Sequence, residues 1–259
     1  MKPAVTIVKV GGKIIESPES LRILCDQFAT IGGMKLLVHG GGRSASQLAR
    51  RLGIEPQLID GRRVTDAPML EIALMVYAGV VNKTLVAQLQ ARGQNAVGLT
   101  GADLDLIRSR RRPIRDGVDF GYVGDVERVD AQRVARLLAD GAVPVLAPLT
   151  HDGRGQMLNT NADTIAATTA KALAASFDVQ LVFCFEHNGV LRHPDDEQSV
   201  IAHLTPESFS QLRDAGIVSG GMLPKIENCL DAVSHGVASV RITRADNLSR
   251  PDSGTRITR

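Results

Sequence analysis

The residues in this chain whose types and spacing could do chemistry are two lysines, three glycine clusters and one crowded helix start. Lys9 comes near the end of an apolar, β-branched stretch, Ala4 to Gly12, and is followed closely by Gly11 and Gly12. Such a stretch reads as a buried parallel strand that carries a cation toward a ligand crevice, with glycine backbone that can approach an anion closely. A first strand followed by a plain turn would look the same over so short a stretch. His39 closes a second apolar run from Lys35, and Gly40, Gly41 and Gly42 follow it, ahead of a helical segment from Ser44 to Leu52. Strand, triple glycine and helix start form an anion-binding arrangement, because free N–H groups and the positive end of the helix dipole converge there. A mere turn rarely needs three positions without side chains, so phosphate binding is the better reading. A further glycine loop, Ser219, Gly220, Gly221 and Met222, leads into a helix with Lys225 in its first turn. A cation is unfavourable at that end of a helix, which suggests an anion beside it. Asn159, Asn161 and Asp163 crowd another helix start. One of the two asparagines serves as the cap, and the surplus points to ligand contact.

The elements that must position these groups alternate along the chain. Ser17, Pro18 and Glu19 start a helix whose Leu21, Leu24, Phe28 and Ile31 recur with helical period until Gly32 and Gly33 stop it. Gln57 to Thr65 places Asp60 and Gly61 between two β-prone runs and reads as a hairpin or bulged loop. Asp66 caps a long helix from about Pro68 to Gln90, with Met69, Ile72, Met75, Val76 and Val80 on one broad apolar face. That face suits either a central core helix or a subunit interface. Strands follow at Asn95 to Leu99, within Asp119 to Val129, and at Val143 to Pro148, with a helix capped by Asp130 and ended by Gly141. Val179 to Phe185 is a strand, Thr205 to Gly216 a helix, Ala238 to Thr243 a last strand, and the tail is polar and turn-rich. The alternation predicts an α/β fold with a mainly parallel sheet covered on both faces, as two lobes sharing one sheet and dividing near Ala174.

Composition excludes several function classes. The 259 residues are 44% hydrophobic and 22% charged with a net charge of +2, so no global field favours nucleic acid or an anionic membrane surface. No apolar run reaches the roughly 18 residues of a spanning helix, and a cytoplasmic location is expected. Cys25, Cys184 and Cys229 are unpaired in spacing and read as reduced core thiols. The six histidines show no metal-ligand spacing, so no protein metal site is expected. The one basic cluster, Ile107 to Arg115, has no interleaved aromatics and reads as a solvated loop or a lid over an acidic substrate.

Lys9 with Gly11 and Gly12, His39 with Gly40 to Gly42, Gly61 to Thr65, Asn159 with Asn161 and Asp163, and Gly220 to Lys225 stand in an order and spacing that resembles the amino-acid kinase family. Within that family, the set is similar to the acyl-glutamate branch, and the likeness extends to Gly254 to Ile257. The resemblance implies an open three-layer αβα sandwich, an acid-binding and dimerisation lobe over residues 1–174, an ATP-binding lobe over 175–259, and a homodimer. It implies transfer of a phosphoryl group from ATP to the γ-carboxylate of N-acetyl-L-glutamate, giving an acyl phosphate in arginine biosynthesis. Carried over by position, Lys9 and Lys225 become the transition-state cations and Asp163 their organiser. Gly11, Gly12, Gly220, Gly221 and Met222 fall to the nucleotide phosphates, and Gly41, Gly42, Arg63 and Asn159 to the acyl amino acid.

Elementary chemistry agrees with those roles. A carboxylate acceptor, which ordinarily titrates near about pH 4.3, is already ionised at neutral pH, so no general base is needed. Transfer then depends on charge neutralisation and alignment. Mg²⁺ is expected to arrive with ATP, held mainly by phosphates and water. The sequence departs from the family pattern at Phe185, Glu186, His187 and Asn188, where many relatives have Ser/Thr-Asp, which leaves the adenine and ribose contacts open. Arg108, Arg110, Arg111 or Arg112 could meet the extra carboxylate of a succinyl group, making N-succinyl-L-glutamate the alternative substrate. The resemblance further implies that arginine-inhibited members are hexamers linked by an extra helix before the first strand; with that strand beginning close to Met1, a dimer without arginine feedback is expected. The rival from another class is a non-catalytic amino-acid or nucleotide sensor, against which the retention of Lys9, Lys225 and Asp163 argues.

Overall fold

The computed structural model of the protein describes residues 2–59, 61–218 and 222–259. β1 (Ala4–Val10) leads into a short helix, α1 (Gly12–Glu16), and then α2 (Pro18–Ala29), whose cap Ser17 accepts from the Ser20 N–H at 3.3 Å. α1 is an addition to the sequence reading, because a five-residue helix after two glycines carries no periodicity to detect. β2 (Met34–His39) and α3 (Gly42–Arg51) follow, and β3 (Leu58–Ile59) pairs with β4 (Arg62–Arg63) as the expected antiparallel hairpin.

Asp66 accepts from the Met69 N–H at 2.9 Å and starts a continuous helical rod made of α4 (Ala67–Ala73), a π-helical segment (Leu74–Val81) and α5 (Asn82–Gln90). By length and composition this rod could cross a membrane, which corrects the expectation that no run is long or apolar enough. Met69, Ile72, Val76, Tyr77, Leu85 and Leu89 are buried in the core, which accounts for much of its apolar character, while Met75 and Val80 stay exposed.

The rest of the chain builds the remaining strands and the second helical layer. β5 (Ala96–Leu99), β6 (Ile107–Arg111), β7 (Gly124–Val129), α6 (Ala131–Ala139), β8 (Val143–Leu146), β9 (Leu149–His151), β10 (Met157–Asn159) and α7 (Ala162–Leu173) complete the first part. β11 (Asp178–Phe185), β12 (His203–Leu204), α8 (Pro206–Asp214), α9 (Met222–Ser234), β13 (Ser239–Arg244) and β14 (Thr255–Ile257) complete the second. Two of these correct the sequence reading. The first part of the basic cluster, Ile107–Arg111, is strand β6 rather than a loop, with arginines alternating with the buried Ile107 and Ser109, while 112–114 is a loop as read; the polar tail contains β14.

The main sheet runs β12-β14-β13-β11-β1-β2-β8-β5, and only the β13–β14 pair is antiparallel. A smaller sheet, β10-β9-β6-β7, stands beside it. β1 occupies the middle because it is apolar on both faces. Val8 and Val10 pack with α1 to α5, while Val5 and Ile7 pack with α6 to α9. Helices therefore cover both faces, the three-layer αβα sandwich expected. The strands from 178 onward make one half of the sheet, and the β1–β11 pairing joins it to the other half. Lys35, on β2, is buried and caps the end of α2 by donating to Phe28 O at 2.9 Å, Ala29 O at 3.1 Å and Ile31 O at 2.5 Å. The negative end of that helix holds its charge in the interior.

Candidate active site

Period-two alternation decides which way Lys9 points. It shares the face of Val5 and Ile7, toward α7, and its register partner on β11 is Phe183. There Asn161 caps α7 by accepting from the Asp163 and Thr164 N–H groups at 2.7 and 3.1 Å. The first helical turn then sets Asp163 against Lys9, with Nζ 2.6 Å from Oδ1. Lys9 is 7% exposed. The contact is an ion pair rather than an aligned hydrogen bond, and Oδ1 has no other donor among the described residues. Asp163 also sits at the positive end of α7, where the helix dipole complements a carboxylate.

Lys225, in the first turn of α9, lies with its Nζ 4.1 Å from the centroid of the Phe185 ring, and Lys9 Nζ lies 5.3 Å from the same centroid. Sequence and fold thus bring Lys9, Asp163 and Lys225 into one neighbourhood. A cavity of about 280 Å³ opens there, lined by Gly11, Phe185, Glu186, Met222 and Lys225 among others. Lys13 and Glu186 form an ion pair next to it. Cys184 also lines the cavity, but burial pushes its thiol up to about 12, so it stays protonated and unreactive. Gly220 and Gly221 lie outside the described residues.

The two remaining glycine clusters touch. The Gly40 N–H donates to Val10 O at 3.0 Å, and a Cβ on Gly40 would meet Gly12 N at 3.4 Å. Gly41 is required by the protein's own packing: a Cβ there would lie 2.7 Å from the Tyr77 ring. Part of the triple glycine is therefore a close approach to an aromatic side chain rather than a phosphate cradle. At Gly11 and Gly12 no such crowding exists, and the nearest atoms to an added Cβ are 3.9 Å away.

Arg63, at the end of β4, donates from Nη2 to Gly42 O at 2.7 Å and to Ser46 Oγ at 2.8 Å. It thereby fixes the start of α3 against the hairpin. Tyr77, in the π-helical segment, lies beside it. Burial raises the phenol above its ordinary value, and the Arg63 guanidinium opposes that rise. Asn159, on β10, is not the helix cap; its Nδ2 donates to Thr65 Oγ1 at 2.9 Å. Gly41, Gly42, Arg63 and Asn159 thus gather around the hairpin and the start of α3, adjacent to the Lys9 centre through the glycine loops.

Several contacts here carry no readable sequence signal. His39 is fully buried, with Nδ1 2.7 Å from Gly40 O and Nε2 3.1 Å from Asn82 Nδ2. That pairing assigns the proton to Nδ1, which donates to the carbonyl, while Nε2 accepts from the amide. Burial lowers its pKa to about 4. Tyr77 and Asn82 lie far from the glycine motif in sequence, and only the rod brings them to it. Four arginines of the basic cluster are engaged: Arg108 with Asp105 at 2.7 Å, Arg110 with Glu127 at 3.9 Å, Arg111 with Asp119 at 3.0 Å and, just past β6, Arg112 with Asp125 at 2.7 Å.

A mainly parallel sheet with glycines at the carboxyl ends of its central strands, and lysines converging there, is an arrangement suited to binding phosphates. Residues 4–244 match the amino acid kinase family, and the chain belongs to that family. Among its relatives, the acetylglutamate kinase of Phocaeicola vulgatus is 57% identical over 255 residues, 98% of each chain. The acetylglutamate kinase of Bacteroides thetaiotaomicron is 56% identical over 257 residues, 99% of each. Among solved structures, smu.665 from Streptococcus mutans superposes with a TM-score of 0.79 at 28% identity, covering 98% of both chains.

Proposed function

We propose that this protein transfers the γ-phosphoryl group of ATP to the γ-carboxylate of N-acetyl-L-glutamate, releasing ADP and the acyl phosphate. The observation that carries the reading is the pair of buried Lys9 with half-buried Asp163, together with Lys225, which shares the Phe185 ring with Lys9 and lines a cavity beside Gly11. The identity to acetylglutamate kinases over nearly the full chain supports the choice of acid. One carboxylate oxygen attacks the γ-phosphorus; the new O–P bond forms as the bond to the β,γ-bridging oxygen breaks, and that oxygen leaves with ADP. No proton moves in the step. Lys9 and Lys225 offset the negative charge that spreads over the transferring group, and Asp163 directs Lys9.

Gly11, Gly12 and Met222, with Gly220 and Gly221, are assigned to the phosphates. The lack of crowding at Gly11 and Gly12 supports this, because a glycine not required by its own protein leaves its backbone open to a ligand. Gly41, Gly42, Arg63 and Asn159 are assigned to the acyl amino acid, with the planar Arg63 fork suited to its α-carboxylate. The acyl amino acid then lies over residues 1–174 and ATP over 175–259. Mg²⁺ comes as part of the nucleotide and supplies further charge neutralisation on the phosphates. Asp163 and Glu186 are each taken by a lysine, and no cluster of three metal-ligating side chains exists among the described residues. The proposal includes a homodimer, for which the exposed Met75 and Val80 of the rod offer an apolar face.

Trapping acyl phosphates with hydroxylamine across a panel of acids tests the reading. ATP-dependent hydroxamate from N-acetyl-L-glutamate is expected; ATP binding without product from any acid would identify a sensor. Mass by light scattering tests the dimer.

A further inference from the structure

We propose that Phe185 is a positioning residue of the phosphoryl-transfer centre, its ring orienting the Lys225 ammonium without neutralising it. The inference rests on the activity proposed above and deepens it at the point where this chain departs from its family's pattern.

Alternation along β11 places Leu181, Phe183 and Phe185 on one face, and the pairing of Phe183 with Lys9 makes it the face on which Lys9 emerges. Phe185 is the last residue of the strand and lines the cavity. Both ammonium groups fall within the roughly 6 Å range of a cation–π contact, Lys225 at 4.1 Å and Lys9 at 5.3 Å. The two lysines differ in what else holds them. Lys9 has the Asp163 carboxylate at 2.6 Å. Among the described residues, Lys225 forms no ion pair, and its Nζ lies 4.1 Å from the aromatic centroid.

A carboxylate beside Lys225 would fix its direction but cancel the charge that the phosphates need and repel them as well. A neutral π face attracts the ammonium through its quadrupole and leaves the full charge available. The ring is itself braced: Phe183, which is buried, stacks on it at 5.9 Å with the planes 8° apart. Removing the ring should therefore release Lys225 to more rotamers, to be reordered in each turnover, and lower kcat while leaving the acyl amino acid's KM largely untouched.

The test compares Phe185→Leu, which keeps apolar volume, with Phe185→Tyr, which keeps the ring, and with Phe209→Leu, which removes a buried ring from α8. Phe185→Leu is expected to lose about tenfold in kcat with the KM for N-acetyl-L-glutamate within twofold, and Phe185→Tyr to stay within threefold of the parent. Phe209→Leu should lower Tm without changing kcat. In the ligand-free protein, the Lys225 ε-methylene proton resonance, assigned by its loss in Lys225→Arg, should be shifted upfield by the ring and return toward the ordinary lysine position in Phe185→Leu. Unchanged kcat in Phe185→Leu, equal loss in the leucine and tyrosine variants, or an unmoved resonance would each overturn the proposal. If the parent protein makes no acyl phosphate, the activity reading fails separately, and the resonance still decides whether the ring holds Lys225.

Discussion

On and just beyond strand β6 of the smaller sheet, Arg108, Arg111 and Arg112 each come within 3.0 Å of a carboxylate oxygen, whereas Lys225, beside the cavity, faces an aromatic ring. Asp105 alone gathers Arg108, Arg128 and His151, at 2.7, 2.5 and 2.9 Å. Exposed pairs of this kind contribute only about 0–1 kcal/mol each, and a guanidinium closed on a carboxylate has little left to offer an anionic ligand. The density of basic residues is thus a poor guide to where anions bind. Partnering is a better guide, although Lys9 is itself paired with Asp163 and is set apart by its burial. It agrees with the sequence reading, which places the chemistry on Lys9 and Lys225 and not on the arginine cluster.

The largest expected effect separates the two regions directly. Lys9→Ala and Lys225→Ala should each lower kcat by about 10² to 10³, the loss typical of removing one preorganised electrostatic donor. Arg110→Ala and Arg111→Ala, in the paired sheet, should leave kcat within twofold. Coupled assays of ADP release give both numbers. Equal losses in the two sets would break the comparison.

A titration of stability against pH sharpens it. His39 has a folded pKa of about 4 against an ordinary value of 6.5, because burial disfavours its charged form. The unfolded chain binds the proton more readily, so stability is full above pH 6.5 and is lost as the pH falls toward 4. Over that window the loss is about 3 kcal/mol. Asp105 behaves differently: bonds from Arg108 and then Arg128 hold it well below the carboxylate range. Its contribution is present above the unfolded carboxylate pKa and is lost only as the pH falls below it. Urea midpoints from pH 7 to pH 3 should therefore fall first in a step that His39→Gln removes. Asp105→Asn should alter only the later, more acidic step.

Arg63 stands between the two extremes, since it is bonded to neutral oxygens rather than to a carboxylate. Arg63→Lys loses the planar fork but keeps the charge. It is expected to raise the KM for N-acetyl-L-glutamate by about ten- to a hundredfold, with a smaller change in kcat, as for the loss of one charge-assisted hydrogen bond. An unchanged KM would remove Arg63 from the acyl amino acid's site.

Much of the fold was legible because its signals are local. Ser17, Asp66, Asp130 and Thr205 all act as helix caps where the sequence places them, and the apolar runs ended by glycine are the central strands. Of the smaller sheet only β7 was legible, from its alternation, because β6, β9 and β10 are short and joined by long-range pairing. Within the site, Lys9, Asp163 and Lys225 could be singled out by type and spacing. Tyr77 could not, and His39 and Phe185, though named as motif and departure, gave no sign of their contacts, which depend on register across strands and on a π-helical segment. Lys35, at the start of the second apolar run, is a buried helix cap, a role that no local signal announces.

The smallest effect concerns the acyl group. A succinyl chain would bring a second carboxylate into the site, and one of these four arginines of the basic cluster would have to leave its present partner to meet it. Arg112 is the most constrained: Nε and Nη2 both donate to Asp125 Oδ1, at 3.0 and 2.7 Å, and the guanidinium lies 5.5 Å from the Phe120 ring centroid. Arg110, 3.9 Å from Glu127 and well exposed, is the easiest to release. With these four guanidinium groups engaged, kcat/KM is expected to favour N-acetyl-L-glutamate over N-succinyl-L-glutamate by about tenfold, the value of roughly one interaction of 1.4 kcal/mol. Parallel assays of the two acids decide it. A preference for the succinyl compound that disappears in Arg110→Ala would mean that a paired arginine can be recruited to a ligand, and that partnering in the ligand-free protein is a weaker guide than the two regions suggest.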